Sequence, residues 1–175
     1  MSRLGKSREC FGKTEGLKLA YVGDANNNMA NSYLVACAMA GMDVSIAAPE
    51  GYGPDSAVLD RAREIAAIQG GKISSSNDPV EAVAGAQVVV TDTWVSMGME
   101  DQAQERALVF QAFTVDSALM SGAEKDAIFL HCLPAYRGFE VSADVIDGSQ
   151  SRVWQEAENR LHAQKALMVW LAEQN

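Results

Sequence analysis

The sequence predicts an α/β fold in which a doubly wound parallel sheet carries helices on both faces. Short runs rich in β-branched and apolar residues alternate with longer runs of helical periodicity, the pattern of repeated βαβ units. The 175 residues are enough for a single domain with a sizeable core. Hydrophobic residues make up 48% and charged residues 21%, which is typical of globular proteins.

The elements follow in order along the chain. Apolar runs predict strands at 17–22, 43–47, 72–75, 87–91 and 127–130. Helical spacing predicts helices at 29–40, 55–69, 78–84 and 155–173. Gly41 and Gly70 suit the ends of the first two helices, and Pro79 suits the first position of the third. This order predicts a Rossmann-like topology, in which ligands bind beyond the carboxyl ends of the strands.

The segment before the first strand differs from the rest in charge. We expect 1–15 to be the remnant of a connecting helix or linker and 16–175 to be the domain. Residues 1–18 contain five basic and two acidic side chains, a charge of +3, which leaves −12 for the remainder of a chain with net charge −9. Such a segment could dock on a partner, but the pattern favours a solvated tail.

Composition also excludes several classes of protein. A net charge of −9 argues against nucleic acid, because a phosphate-binding surface needs a surplus of lysine and arginine. Three cysteines with no C-x-x-C pair argue against a disulfide framework or a zinc site, so we expect no metal ion and a reducing compartment. No run approaches membrane-spanning length. We therefore expect a soluble cytoplasmic protein that does not bind membranes.

Three loops at predicted strand ends, at 24–28, 92–98 and 131–138, contain the candidate site. The first has only the first glycine of a G-x-G-x-x-G motif, so we expect no dinucleotide or other cofactor. Its three asparagines could bind a small polar ligand, although helix capping is slightly favoured. In the second, Asp92 could bind an ammonium group, or Asp92 and Ser96 could cap a helix that begins near Asp101 or merely satisfy the turn. Trp94, Met97 and Met99 are too apolar for an idle surface loop, which favours a ligand.

The third loop and the last helix supply the remaining candidates. His131 and Cys132 should point to opposite sides if the strand continues, so they are not a ready nucleophile and base. A buried thiol and a structural histidine are the alternative. In the last helix we expect Ala157, Leu161, Met168 and Leu171 to form the buried stripe. Arg160, at its edge, could reach an anion or pair with Glu156.

Four segments together resemble ornithine carbamoyltransferase, in the aspartate/ornithine carbamoyltransferase family. They are Asp24-Ala25-Asn26-Asn27-Asn28, Asp92-Thr93-Trp94-Val95-Ser96-Met97-Gly98, His131-Cys132-Leu133-Pro134 and Glu156-Ala157-Glu158-Asn159-Arg160. The second and third are specific, and aspartate carbamoyltransferases lack both in this form. The resemblance implies attack of the ornithine side-chain amine on carbamoyl phosphate to give citrulline and phosphate. This reaction belongs to arginine biosynthesis and the urea cycle.

The resemblance also implies roles for individual residues. Asn27 and Asp92 would hold the α-carboxylate and α-ammonium of ornithine, with help from Ser96 and Met97. Cys132, coupled to Asp92, would bind at the amine end and help to remove its proton. The carbonyl of Leu133 would hold the reacting amine or the carbamoyl NH2. Donors to the carbamoyl oxygen would be His131 and Arg160.

One substrate site is not visible in the sequence. In this family a Ser-Thr-Arg-Thr segment and a His-Pro-x-Gln segment of a preceding domain hold the phosphate, and this chain contains neither. We therefore expect carbamoyl phosphate to bind only if a second domain supplies its site, and the chain to be inactive alone. A catalytically silent binding module and a hydrolase built on Cys132 are the alternatives. Residues 166–171 are apolar on every side, which predicts a homo-oligomer through this helix, the alternatives being that it tucks into its own core or frays.

Overall fold

A five-stranded parallel sheet forms the centre of the protein. The computed structural model describes residues 2–95, 98 and 100–174. Its strands are β1 (Lys18–Val22), β2 (Asp43–Ala47), β3 (Ile73–Ser76), β4 (Val88–Thr91) and β5 (Ile128–His131). They lie in the order β3-β2-β1-β4-β5, and every pair is parallel. The chain thus winds outward from β1 in both directions, and the predicted doubly wound topology is confirmed.

Helices connect the strands and cover the sheet. They are α1 (Ser2–Phe11), α2 (Asn28–Met39), α3 (Ser56–Gln69), α4 (Pro79–Val83), α5 (Ala103–Phe110), α6 (Ser117–Met120), α7 (Ala143–Ile146) and α8 (Val153–Glu173). Side chains of Asn27, Asp55 and Asp78 accept backbone N–H groups at the starts of α2, α3 and α4. The predicted first position of Pro79 in α4 is confirmed. Among the described residues, no helix is both long and apolar enough to span a membrane.

Alternating side chains of β1 separate two cores. Leu19 and Tyr21 join a cluster with α2 and α3, against which Leu4 and Phe11 of α1 also pack. Ala20 and Val22 face the opposite cluster, which α4, α6 and α7 cover. Both faces of β1 are therefore buried, as is usual for a central parallel strand.

The basic segment before β1 is not a solvated tail, so that expectation is wrong. It forms α1, which packs along α8. The side-chain amide of Asn159 donates to Glu9 over 2.9 Å, and Lys6 pairs with Glu9 over 2.5 Å. A helix of basic and apolar residues can bury one side while its lysines and arginines remain in water.

Most of α8 is exposed, so the predicted buried stripe is also wrong. Leu161, Met168 and Leu171 are 58%, 62% and 50% exposed. The residues of α8 that are buried are Val153 and Glu156, in its first turns. Helical periodicity shows which residues share a face, but a face is buried only if another element lies against it. The second half of α8 has no such cover from the described chain.

Candidate functional site

Strands β1, β4 and β5 lie side by side, so the loops that follow them meet at one edge of the sheet. The hydroxyl of Thr91 donates to the carbonyl of Val22 over 2.6 Å, which joins the ends of β4 and β1. Beyond these ends, the thiol of Cys132 donates to Oδ1 of Asp92 over 2.9 Å. The structure therefore brings together two residues that the sequence singled out for chemistry.

The side chain of Asn27 is occupied by contacts within the domain. Its Oδ1 accepts the N–H groups of Met29 and Ala30, each over 2.9 Å, and so caps α2. Its Nδ2 donates to the carbonyl of Asp24 over 2.8 Å and to the hydroxyl of Tyr21 over 3.2 Å. The capping alternative is thus correct for Asn27. An amino-acid carboxylate could use this amide only by replacing one of the two acceptors.

A buried ion pair lies beneath the first loop. Nη2 of Arg106, in α5, pairs with Oδ2 of Asp24, and Nε donates to the carbonyl of Trp94. Arg106 and Asp24 are only 4% and 5% exposed. Burial raises the pKa of the Asp24 carboxyl, while the Arg106 guanidinium opposes that shift. The pair joins the loop after β1 to the loop after β4.

Tyr21 links this pair to the site residues. Its hydroxyl donates to the carbonyl of Asp24 over 2.9 Å and accepts from Asn27. Burial, with the negative charge of Asp92 nearby, raises the pKa of Tyr21 well above its ordinary value. The hydroxyl therefore remains a proton donor at neutral pH and holds the first loop in place.

Asp92 is buried, and both of its described hydrogen bonds reach one oxygen. Oδ1 accepts the N–H of Thr93 over 2.8 Å as well as the Cys132 thiol. The alternative, in which Asp92 caps the following helix, is not what the structure shows. That helix, α5, begins at Ala103, and its cap residue Gln102 makes no side-chain hydrogen bond to it. A buried carboxylate at a strand end is well suited to an ammonium group.

Trp94 has a structural explanation. It is 3% exposed and stacks on Phe110, with ring centroids 5.6 Å apart, while Phe139 meets its edge at 6.4 Å. Its apolar surface is therefore covered by the domain itself, and it is not by itself a sign of a ligand. Three candidates in the same loop lie outside the described residues: Ser96, Met97 and Met99.

Two buried glutamates fix the end of β5. Oε2 of Glu156 accepts the N–H of His131 over 3.1 Å, and Oε1 of Glu140 accepts the N–H of Tyr136 over 2.6 Å. Nδ1 of His131 accepts the N–H of Leu133 over 2.9 Å. Leu133 has a φ of 57°, a conformation that leucine rarely adopts and that its surroundings must enforce. The loop after β5 is thus held in one shape by side chains on both sides.

These contacts decide the tautomer of His131. Because Nδ1 accepts a hydrogen bond from the N–H of Leu133, the neutral imidazole carries its hydrogen on Nε2. Nε2 lies 3.3 Å from Oε1 of Glu140, close enough for an ion pair but outside hydrogen-bond alignment. The imidazole is fully buried. The described hydrogen bond of the Cys132 thiol goes to Asp92, which gives no support to a hydrolase with a cysteine and histidine pair.

Arg160 lies apart from this buried cluster. It is exposed on α8, one turn after the buried Glu156. The other arginine of interest, Arg106, was missed by sequence reasoning, as were Tyr21 and Glu140. One signal in the sequence pointed to Arg106: it is followed by four apolar residues that end at Phe110. A single basic residue beside an apolar run is a weak signal on its own.

Three site residues could also act as metal ligands. One oxygen of Asp92, one nitrogen of His131 and the sulfur of Cys132 all lie within 4.8 Å of one another. These atom types suit zinc, which usually takes four ligands or three and a water. The sequence pattern gave no indication of this cluster, because its members come from two strand ends 39 residues apart. The same arrangement of acceptors also suits a protonated amine.

Comparison with known proteins identifies relatives along almost the whole chain. Residues 15–171 match the family model "Aspartate/ornithine carbamoyltransferase, Asp/Orn binding domain". An ornithine carbamoyltransferase of Renibacterium salmoninarum is 54% identical over 168 residues, which are 96% of this chain and 54% of that protein. One from Clavibacter michiganensis is 57% identical, over 96% of this chain and 55% of that protein. The chain thus spans about half the length of these relatives.

Solved structures give the same result. Ornithine carbamoyltransferase from Pyrococcus furiosus superposes with a TM-score of 0.91 at 47% identity, over 95% of this chain and 53% of that one. An acetylornithine transcarbamylase in complex with acetylcitrulline superposes with a TM-score of 0.82 at 31% identity, over 95% of this chain and 53% of that one. Both contain the arrangement of strands and helices described above.

Proposed function

The chain belongs to the aspartate/ornithine carbamoyltransferase family as its Asp/Orn-binding domain, and we propose that it is the ornithine-binding half of an ornithine carbamoyltransferase. The observation that carries this proposal is the Asp92–Cys132 pair at the meeting point of the strand ends. The reaction joins the carbamoyl group of carbamoyl phosphate to the side-chain amine of ornithine. Citrulline and phosphate are the products. We place this step in arginine biosynthesis or the urea cycle, in the cytoplasm.

The α-amino-acid end of ornithine would lie between the first and second loops. Asp92 would pair with the α-ammonium, since it is a buried acceptor with charge opposite to the ligand. Asn27 and the start of α2 would meet the α-carboxylate, because a helix N-terminus favours an anion. Family resemblance adds Ser96 and Met97 on the second loop.

The side-chain amine would lie at the third loop. With a pKa near 10 it is almost fully protonated at neutral pH, so it must lose a proton before it attacks. Cys132 would take up that proton on its sulfur while its own thiol proton passes to Asp92, to which it is hydrogen-bonded. The carbonyl of Leu133, fixed by the His131 imidazole, would orient the nitrogen.

Negative charge develops on the carbamoyl oxygen as the amine attacks, and a preplaced donor there is typically worth about 2.7–4 kcal/mol. We propose Arg160 for this task, since its exposed position on α8 allows it to meet a substrate from outside the domain. His131 would be a second donor only if its Nε2 turned away from Glu140.

Carbamoyl phosphate needs a second domain in this proposal. Holding two substrates in position contributes about 7–11 kcal/mol in favourable cases, and the described site accounts for only one of them. We therefore expect no appreciable citrulline production from the chain alone. We also propose that the chain forms a homo-oligomer, which the exposed apolar end of α8 supports.

Calorimetric titration tests the proposal directly. L-Ornithine should give a saturable heat with the isolated chain, and carbamoyl phosphate should not. Nα-Acetylornithine is the matched control, because acetylation removes the positive charge that Asp92 would bind and so should weaken binding. Failure of a folded chain to bind ornithine, or tighter binding of the acetylated ligand, would overturn the proposed substrate. Ornithine binding without citrulline, even with a carbamoyl-phosphate domain added, would indicate a silent binding module.

A further inference from the structure

Arg106 contacts both of the loops that would bind the ligand. Its guanidinium uses one nitrogen for Asp24, in the loop after β1, and another for the carbonyl of Trp94, in the loop after β4. These partners are 82 and 12 residues away in sequence. Because α5 carries the arginine, three separate segments are joined at one planar group.

Two aromatic rings also lie against the guanidinium. Its central carbon lies 5.0 Å from the ring centroid of Tyr52 and 5.1 Å from that of Phe110. Cation–π contacts of this kind strengthen when the cation is removed from water, as Arg106 is. A lysine could keep the charge, but it could neither stack on two rings nor present a rigid fork of donors.

Each partner of Arg106 leads directly to a ligand-binding residue. The carbonyl of Asp24 accepts the Nδ2 of Asn27 over 2.8 Å, and its Oδ1 accepts the N–H of Asn26 over 3.0 Å. Trp94 stands two residues after Asp92 in the same loop. A shift of Arg106 would therefore move Asn27 and Asp92 relative to each other, although it belongs to neither loop.

We propose that Arg106 is a positioning residue that sets the separation between Asn27 and Asp92 and thereby determines affinity for the α-amino-acid end of the substrate. This inference rests on the proposed function for its ligand. Replacing a buried ion pair by apolar groups of similar size is often neutral for stability. A buried pair at this place is better explained by the geometry that it imposes on the two loops.

The test compares Arg106→Lys and Arg106→Gln with Arg137→Gln, which removes an exposed arginine–aspartate pair whose described hydrogen bonds reach neither Asn27 nor Asp92. Titrations use L-ornithine and L-norvaline, which share the α-amino-acid end but differ in the side-chain amine. Because the defect lies at the shared end, the Arg106 variants should weaken both ligands by the same factor, roughly 10- to 100-fold. Arg137→Gln should leave both affinities unchanged. Cys132→Ala, by contrast, should weaken ornithine more than norvaline, because it acts chiefly at the side-chain amine.

A ligand-independent measurement separates this inference from the proposed function. The side-chain amide signals of Asn27 should shift in the Arg106 variants, and Asp24→Asn, which breaks the same pair from the other side, should shift them similarly. Unchanged Asn27 signals, or unchanged affinity in a folded variant, would overturn the positioning role. Should Arg106→Gln fail to fold, Asp24→Asn decides the question by the same readouts. If the wild-type chain binds neither ligand, the proposed substrate is wrong, and the amide signals still decide whether Arg106 positions Asn27.

Discussion

The site edge of the sheet and the second half of α8 depart from an ordinary globular surface in opposite ways. At the site edge, charged side chains are buried: Asp24, Asp92, Arg106, Glu140 and Glu156 are each 8% exposed or less. In α8, apolar side chains are exposed, including Leu167 and Trp170 at 54% and 55%. Buried charge and exposed apolar surface are both costly in isolation, so each needs an explanation.

The two regions differ in whether contacts within the chain offset this free-energy cost. The buried side chains have partners: Arg106 pairs with Asp24, and Glu140 and Glu156 accept backbone N–H groups. The apolar side chains in the second half of α8 remain half exposed or more in the described part of the molecule. The comparison teaches that the site edge is assembled from this chain's own contacts, whereas α8 leaves apolar surface exposed, as the proposed oligomer would require.

The largest expected effect is on stability at the site edge. Glu140→Ala removes the acceptor of the Tyr136 N–H and the carboxylate beside His131. A buried donor left without a partner costs about 1–3 kcal/mol, so the free energy of unfolding should fall by that amount. The control is Glu158→Ala in exposed α8, which should change stability by less than about 0.5 kcal/mol. Denaturant unfolding measures both, and equal losses would erase the contrast between the regions.

The next effect is on ligand affinity. Asp92→Asn should weaken ornithine binding by roughly 10- to 100-fold, because a hydrogen bond to a charged group contributes about 1.5–3 kcal/mol. Cys132→Ser exchanges one small polar group for another and should cost less. Titration calorimetry on both variants gives the order. Equal or reversed losses would show that Asp92 is not the partner of the α-ammonium.

A smaller effect is expected at α8, and it should appear in association rather than in folding. Replacing Leu167 and Trp170 by Gln removes exposed apolar surface, so the unfolding free energy should change little. The monomer fraction at a given concentration should rise if these side chains meet a second copy of the chain. Sedimentation velocity over a concentration series measures this. A wild-type chain that is monomeric at high concentration would contradict the proposed oligomer.

The same contrast explains what the sequence could predict. Strand ends and helix starts depend on local signals, such as the apolar run before Asp92 or the cap at Asn27, and these were found. The approach of Cys132 to Asp92 follows because parallel neighbouring strands end at one edge of a sheet. Asp92 and Cys132 were therefore available as candidates from the pattern, while their coupling was implied by the family resemblance.

Contacts between residues far apart in the chain could not be predicted from the sequence. Arg106 meets Asp24 across 82 residues, and no local pattern indicates that contact. The buried stripe of α8 was wrong for a related reason, because periodicity cannot show whether a neighbour covers the face that it defines. Asn27 illustrates a third case, because helix capping and ligand binding both favour asparagine at this position. Only the contacts show that its side-chain amide caps α2.

The smallest effect concerns an exposed charge pair between Arg137, on the loop after β5, and Asp147, which follows α7. Arg137 makes two hydrogen bonds to Asp147, at 2.7 and 2.8 Å, and they lower the pKa of the Asp147 carboxyl. A carboxyl whose folded pKa is lowered stabilises the fold above its unfolded pKa of about 4, and that contribution disappears as pH falls through the folded value. Asp147→Asn should therefore lower the thermal midpoint slightly at about pH 7, and the gap to wild type should close as the pH drops below about 4.

Arg137→Gln should behave in the same way, and the double variant should lose no more than either single one, since all three remove one interaction. Thermal melts at several pH values measure the three differences. If these variants lowered the thermal midpoint as much as Glu140→Ala does, or if the difference persisted in acid, nearness to the site would matter more for stability than burial. A smaller loss that disappears in acid would show that the stability of the site edge comes from charged side chains that are buried and have partners. Arg137 and Asp147 make this comparison possible, because they lie near the site but remain exposed.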